Sequence, residues 1–439
     1  MMKAISMALL LTLLITSITI PTAVSSTQDK TSIVLGLLKE IGSALLHKIE
    51  DTLGALNSSN TLVLTNAKYV VIKGYDLYPI TVPMIARGLY PLYNMLYVHS
   101  MINDNLWILA YRNDTHKALY LEVSRDAIAH AIGMVKNGGS IEEAVKYVIR
   151  KGIAKISVFN LDIDEIVEEG KKDPDRVWKE LVKETDRLRA FSILTIVAVW
   201  SKGAPQELLL SAELHNHVCP GLISGVLMID FLMKRGYVSP KSKIYVVAVP
   251  VWCKDDAFVQ LLDATPGKRR ISVKLLTKKE EEELKKILGS DAAGIVIVVE
   301  PNGEGKAYVM TFNWDKACSL ANIEKKMFRG KYWWWSRLVL DLTLLKYFSR
   351  PEELVGIAKA VKFKGYVGRY PKLFYNASLI GRDPYSVLGV ITKGLSPTFS
   401  STAGSSTAPR KSVNISLVAI AVAVLAIIVG TLIYLARRR

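Results

Sequence analysis

Apolar residues recur near the start of the chain at Ile33, Leu35, Leu37, Leu38, Ile41, Leu45, Leu46 and Ile49. That is close to a 3.6-residue period and predicts a helix over Thr27–Leu56, interrupted by Asn57-Ser-Ser-Asn60. Thr61–Lys73 carries Val63, Tyr69, Val70, Val71 and Ile72 and reads as a strand, whereas the Tyr- and Met-rich Val82–Met101 reads as helical. Leu106–Tyr111 and Ala118–Val123 flank Asn113-Asp-Thr-His116 as a hairpin. Helices are predicted over Ser124–Lys136 and Ser140–Arg150, the second opened by a Ser-Ile-Glu-Glu start resembling a capping box, with a strand at Ala154–Phe159. The charged Asp162–Arg189 reads as helical with a restart at Asp173-Pro174. Ala190–Trp200 is apolar but too short to span a bilayer, so it is read as a buried helix.

Ser201-Lys-Gly-Ala-Pro205 punctuates the pattern, and a domain boundary is placed there, between an N-terminal α/β domain (27–200) and a second domain with a helical extension (201–395). In the second domain, strands are predicted at Lys243–Val249 and Ile271–Leu275, and helices at Asp255–Ala264 and Lys278–Leu288. Gly294–Glu300 and Lys306–Phe312 form a second hairpin around Asn302-Gly303. Tyr332-Trp-Trp-Trp335 opens the apolar helix Leu338–Tyr347; three adjacent tryptophans cannot share one helical face. Leu106–Glu122 echoes Ile295–Thr311, each with Lys-Ala at the start of its second strand. One account makes the N-terminal domain a degenerate copy lacking the His and Cys residues; a chance match of two hairpins is the other.

The ends change the picture. A short basic start, an apolar run and Pro21-Thr-Ala-Val-Ser-Ser26 read as a signal peptide over 1–26, with an uncleaved anchor as the alternative. Ser396–Lys411 reads as a Ser/Thr-rich stalk, and 412–439 as a transmembrane helix with a basic cytoplasmic end, because Ile415–Leu435 has no charge and Arg437-Arg-Arg439 follows. The expectation is a single-pass membrane protein, mostly extracytoplasmic, with Asn57, Asn113, Asn376 and Asn414 heading candidate glycosylation triplets. A net charge of +17 would suit nucleic acid, but an exported chain excludes that partner and turns the basic surface toward anionic lipid or cell-wall polymer.

Candidate chemistry gathers in Glu213-Leu-His-Asn-His-Val-Cys-Pro-Gly221. In extended backbone His215, His217 and Cys219 point to one side; in a continuing helix His215 and Cys219 still meet at i,i+4. The predicted strand Lys243–Val249 leads into Pro250-Val-Trp-Cys253-Lys-Asp-Asp-Ala257, a second thiol at a helix entrance. If the entrances lie side by side, His215, His217, Cys219 and Cys253 form a two-His, two-Cys set for which Zn²⁺ is the default metal, with Asp255 or Asp256 orienting an imidazole. A Cys219–Cys253 disulfide with ordinarily hydrogen-bonded histidines is the alternative. Lys268, with Arg269 and Arg270, reads either as anion-binding or as a solvated turn, and Cys318 as packing. There is no Walker loop, Gly-x-Ser-x-Gly, dinucleotide glycine pattern or HExxH.

The order His-x-His-x-Cys-Pro-Gly, then Cys-x-x-Asp-Ala, then Thr-Pro-Gly-Lys resembles the FmdE family of formylmethanofuran dehydrogenase components, over about Gln206 to Ala317. The resemblance implies an α+β domain holding a metal, generally zinc, on some subset of His215, His217, Cys219 and Cys253, with Thr265, Pro266, Gly267 and Lys268 in the loop beside it. The chain departs from the family at Ala264, usually cysteine, and at Asn216, usually glycine, and it lacks the four-cysteine ribbon. The fold expected overall is therefore α+β: this domain, an α/β domain before it and one transmembrane helix after. Three functions follow: a metal-binding protein that binds or senses a metal or small ligand, an enzyme using a metal-bound water, and a surface scaffold with a vestigial site.

Overall fold

The computed structural model describes residues 23–391, apart from 69–70, 73–74, 77, 86–94, 102 and 303. Chain order begins with α1 (Ala23–Leu53), whose Val34, Leu37, Leu38, Ile41, Leu45, Leu46 and Ile49 are all buried. Strands β1 (Thr61–Thr65), β2 (Met95–Tyr97), β3 (Leu106–Arg112), β4 (Lys117–Val123) and β5 (Ile153–Asn160) then form one sheet in the order β2-β1-β3-β4-β5. Only β1 and β2 run parallel; every other neighbour is antiparallel. Between β4 and β5 lie α2 (Arg125–Lys136) and α3 (Ile141–Tyr147), each capped by a serine, Ser124 and Ser140.

Four helices follow: α4 (Ile163–Lys172), α5 (Pro174–Glu184), α6 (Ala190–Ser201) and α7 (Gln206–His215). Asp173 caps α5 with Pro174 at its first position, which is why the chain restarts there. Then come α8 (Pro220–Lys234), β6 (Lys243–Ala248), α9 (Lys254–Leu262), β7 (Ile271–Val273), α10 (Lys278–Leu288), β8 (Asp291–Val299), β9 (Glu304–Phe312), α11 (Trp314–Leu320), α12 (Trp333–Leu344) and β10 (Val355–Lys364). The second sheet has the order β7-β6-β8-β9-β10, again with only its first two strands parallel. Strand for strand, the two sheets have the same order and sense.

Alternation along β3 and β4 sends residues to both faces of the first sheet, and both faces are covered. One face, with Val63, Ile108, Ala110, Leu119 and Leu121, packs on α1, α2 and α3. The other, with Leu62, Leu64, Trp107, Leu109 and Tyr120, joins a core that also holds α6, α7, α8, α12 and the inner face of the second sheet through Val246, Val296, Tyr308 and Phe312. Helix α6 is apolar all round because it lies inside this shared layer. Trp334 and Trp335 are buried, their indole N–H groups donating to the carbonyls of Pro174 and Val167, while Trp333 packs on Trp178.

The expected α+β fold with a transmembrane helix is thus corrected. The chain is mixed α/β, with two sheets that each contain a parallel pair, and no helix among the described residues is long and apolar enough to cross a membrane. The segments read as signal peptide (to residue 22), stalk and transmembrane helix, and Asn414, lie outside the described residues; α1 runs through 23–26. Of the helix expected over Val82–Met101, Val82–Met84 is helical, residues 86–94 lie outside the described ones, and the C-terminal part is corrected, since Met95–Tyr97 is a buried strand beside β1. At three residues that strand is too short to display any period.

Candidate metal centre

Helix α7 stops at Asn216, which adopts a left-handed conformation with φ 70°. Glycine and asparagine are the residues that take this conformation at least cost, which explains how Asn216 can stand where the resembled family usually has glycine. The returning chain is pinned to α6 by the Val218 N–H donating to Thr195 Oγ1 at 3.1 Å. Cys219 is then extended and caps α8, with Pro220 in the first turn. On the other side, β6 passes a cis Val249–Pro250 bond and reaches Cys253, which caps α9.

Close packing of α8 on α9 brings the two entrances together. A Cβ on Gly221 would lie 3.0 Å from Cys253 Cβ, and one on Gly225 only 2.5 Å from the Lys254 carbonyl oxygen. His215, Cys219 and Cys253 converge, each offering one donor atom, all within 4.8 Å of one another. His215 Nε2 is 3.6 Å from Cys219 Sγ, and its Nδ1 is 2.7 Å from Asp256 Oδ2, to which it donates. His217 stands outside this cluster: its ring packs at a tilt against His215 at 4.4 Å and against Phe191 at 5.1 Å.

The electrostatics divide the groups. For His215, burial opposes the charge, but the hydrogen bond to Asp256 and the neighbouring Cys253 outweigh it and raise the imidazole to about 9. His217 goes the other way, to about 4, through burial first and then the charges of His215 and Arg337. Cys253 accepts from Cys219, and this, against burial and with help from His215, lowers it to about 4. Cys219, donating and buried, is pushed well above the usual thiol range. Neither cysteine is in a disulfide.

Asp255 and Asp256 have different tasks. Asp256 orients His215, whereas Asp255 accepts the Trp252 N–H at 3.0 Å and pairs with Lys254 at 2.8 Å. Lys254 is wholly buried, also donates to the Pro250 carbonyl at 2.9 Å, and lies 4.1 Å over the Trp252 ring. This buried pair clamps the loop that presents Cys253; removing one partner of such a pair costs about 3–5 kcal/mol. Thr265, Gly267 and Lys268 form an exposed turn in which the Lys268 N–H meets Thr265 Oγ1 at 3.4 Å and its ammonium pairs with Asp263 at 2.6 Å. Asp263 also takes Arg270, while Arg269 donates to the Tyr370 hydroxyl at 3.0 Å. Cys318 is buried on α11.

Two groups escaped the sequence reading. Arg337 and Asp341 lie on α12, and the Asp341 carboxyl is fully buried with neither oxygen hydrogen-bonded. Trp333, Arg337 and Asp341 recur at four-residue spacing, a pattern visible in the sequence once α12 is known to pack on α8.

Fold and site together define a mixed α/β protein with a His/Cys/Cys group that could hold a metal ion. Residues 214–340 match the family model described as FmdE, molybdenum formylmethanofuran dehydrogenase operon, a stretch that contains all three donor residues. No curated protein matches the chain. The donor set itself suits a borderline-soft cation: two sulfurs, one of them with its thiol pulled well below the usual range, and an imidazole backed by a carboxylate.

Proposed function

We propose that this chain binds zinc through His215 Nε2, Cys219 Sγ and Cys253 Sγ, and that the centre takes up a small ligand. The observation that carries the reading is the convergence of these three donors within 4.8 Å, from the end of one helix and the entrances of two others, with Asp256 fixing the imidazole. When bound, zinc supplies Lewis acidity, and three protein ligands leave a position for an exogenous donor atom. The protein's own groups do the rest. Cys253 and His215 form a thiolate–imidazolium pair before a cation enters, so binding requires Cys219 and His215 to release protons. His217, kept neutral against Phe191, forms one wall of the site rather than a donor. Binding or sensing is favoured over a scaffold with a vestigial site because the donors and their orienting carboxylate are all in place.

Elemental analysis of the purified full chain tests this. Wild type should carry about one zinc per chain and Cys219→Ser or Cys253→Ser almost none, with His217→Ala retaining most of it. Absence of metal from wild type, or Cys219 and Cys253 joined in the mass spectrum, defeats the reading.

A further inference from the structure

The stripe on α12 leads from the metal site into the core. Trp333 packs on Phe191 at 5.1 Å, and Phe191 on His217 at 5.1 Å. One turn on, Arg337 donates to the carbonyls of Phe328 and Trp333 at 3.0 and 2.6 Å, its guanidinium 5.7 Å from the Trp333 ring centre. A further turn on, Asp341 is fully buried without a hydrogen-bond partner; burial first, and then the neighbouring Cys253 against the pull of Arg337, push its carboxyl well above the usual carboxylate range, and Asp341 in turn helps to raise Cys219. Helix α12 packs directly on α8, the helix that Cys219 caps. A buried carboxyl with neither oxygen paired is costly, and folded proteins keep such groups where something else completes them.

We propose that Asp341 contacts the small ligand of this centre, accepting a hydrogen bond from an N–H or O–H that the ligand carries next to its metal-binding atom. The inference rests on the zinc reading above and adds the ligand's chemistry to it: a donor atom for the metal with a proton-bearing neighbour, as in a hydroxamate, an amide or a hydroxy acid. The preceding turn of the stripe, Arg337, is held by backbone carbonyls and keeps the wall in place; Asp341 is its polar contact.

The test uses the cobalt-substituted full chain, with visible spectra recording the binding of acetohydroxamate and of N-methylacetohydroxamate. These probes share their metal-binding oxygens and differ in the N–H. Wild type should prefer acetohydroxamate by about tenfold, as expected for one buried hydrogen bond. Asp341→Leu should lose that preference, and Asp341→Asn, which keeps an acceptor oxygen, should retain part of it. Both variants should still bind one cobalt, and Asp341→Leu should melt higher than wild type because a costly buried group is gone. Equal affinities in wild type overturn the proposal and leave the carboxyl to a resident water. The same preference in all three proteins also overturns it, as does loss of cobalt from folded Asp341→Asn, which would make Asp341 a metal ligand. Failure of wild type to bind cobalt is a different result, and it defeats the zinc reading itself.

Discussion

The two sheets are wired alike and used differently. In each, a helix precedes the first strand, the first two strands are parallel, and the hairpin of strands three and four forms the middle. Even the helix contact recurs. A Cβ on Gly42 of α1 would sit 2.2 Å from the Ile80 carbonyl oxygen, beyond β1, just as one on Gly225 of α8 would meet the Lys254 carbonyl beyond β6. At the end of β1, however, the polar group is Asn66, wholly buried and fully engaged. Its Nδ2 donates to Ser100 Oγ at 2.9 Å and the Asn105 carbonyl at 2.8 Å, and its Oδ1 accepts the Trp107 N–H at 2.9 Å. Beyond β6 stand Cys253 and its neighbours, with Asn216 Oδ1, Trp252 Nε1 and both Asp341 oxygens left unpaired. Apart from the indole Nε1 of Trp107, the first sheet end closes its polar groups on the fold, whereas the second leaves several without a protein partner.

The sharpest way to break this comparison is to disturb the same contact in both places. Gly42→Ala and Gly225→Ala each force backbone apart, and overpacking of this kind costs about 1–3 kcal/mol. Both variants should therefore unfold at lower urea concentration. Only Gly225→Ala should also lose most of its zinc, because it pushes the start of α9, and with it Cys253, away from Cys219. Equal zinc content in the two variants would mean that α8–α9 packing does not set the site.

A smaller effect isolates the closed end of the first sheet. Asn66→Ala strands the Trp107 N–H and the Asn105 carbonyl in the interior, at about 1–3 kcal/mol for a buried group left unpaired. Urea unfolding should register that loss, while zinc content stays at the wild-type level. A fall in zinc would show that the two sheet ends are coupled through their shared core.

These contrasts also show how far the sequence could be read. Periodicity placed α1, the two hairpins and α6 within a few residues, because each has one environment along its length. It failed at Met95–Tyr97, a three-residue strand too short to display any period and without the hairpin partner that marks the longer buried strands. Local spacing brought His215 and Cys219 together, since i,i+4 holds within one turn, but it could not separate His217, whose direction is set by the left-handed turn at Asn216. The partition of Asp255 and Asp256 depends on Lys254 being buried, which sequence-adjacent charges do not announce. Asp341 lies more than a hundred residues from the histidines and enters only through helix packing.

The mildest perturbation is Asp256→Asn, which should weaken zinc binding about 10–100-fold without abolishing it, as loss of the carboxylate behind a metal-binding imidazole usually does. The metal-free protein gives an independent reading through pH. His215 is raised from 6.5 to about 9, with burial opposing and Asp256 and Cys253 favouring the charged form. A raised group contributes stability that is complete below its unfolded value and is lost as pH climbs through the folded one. The contribution from Asp256 should thus be present at pH 6, shrink between 6.5 and about 9, and be absent at pH 10. Because the Asp256 side chain is 46% exposed, solvent screening limits the difference to about 1 kcal/mol or less. Thermal melting of metal-free wild type and Asp256→Asn at pH 6 and pH 10 checks it: a gap at pH 6 that closes at pH 10 identifies Asp256 as the carboxylate that holds His215, whereas a gap independent of pH would assign Asp256 to packing alone.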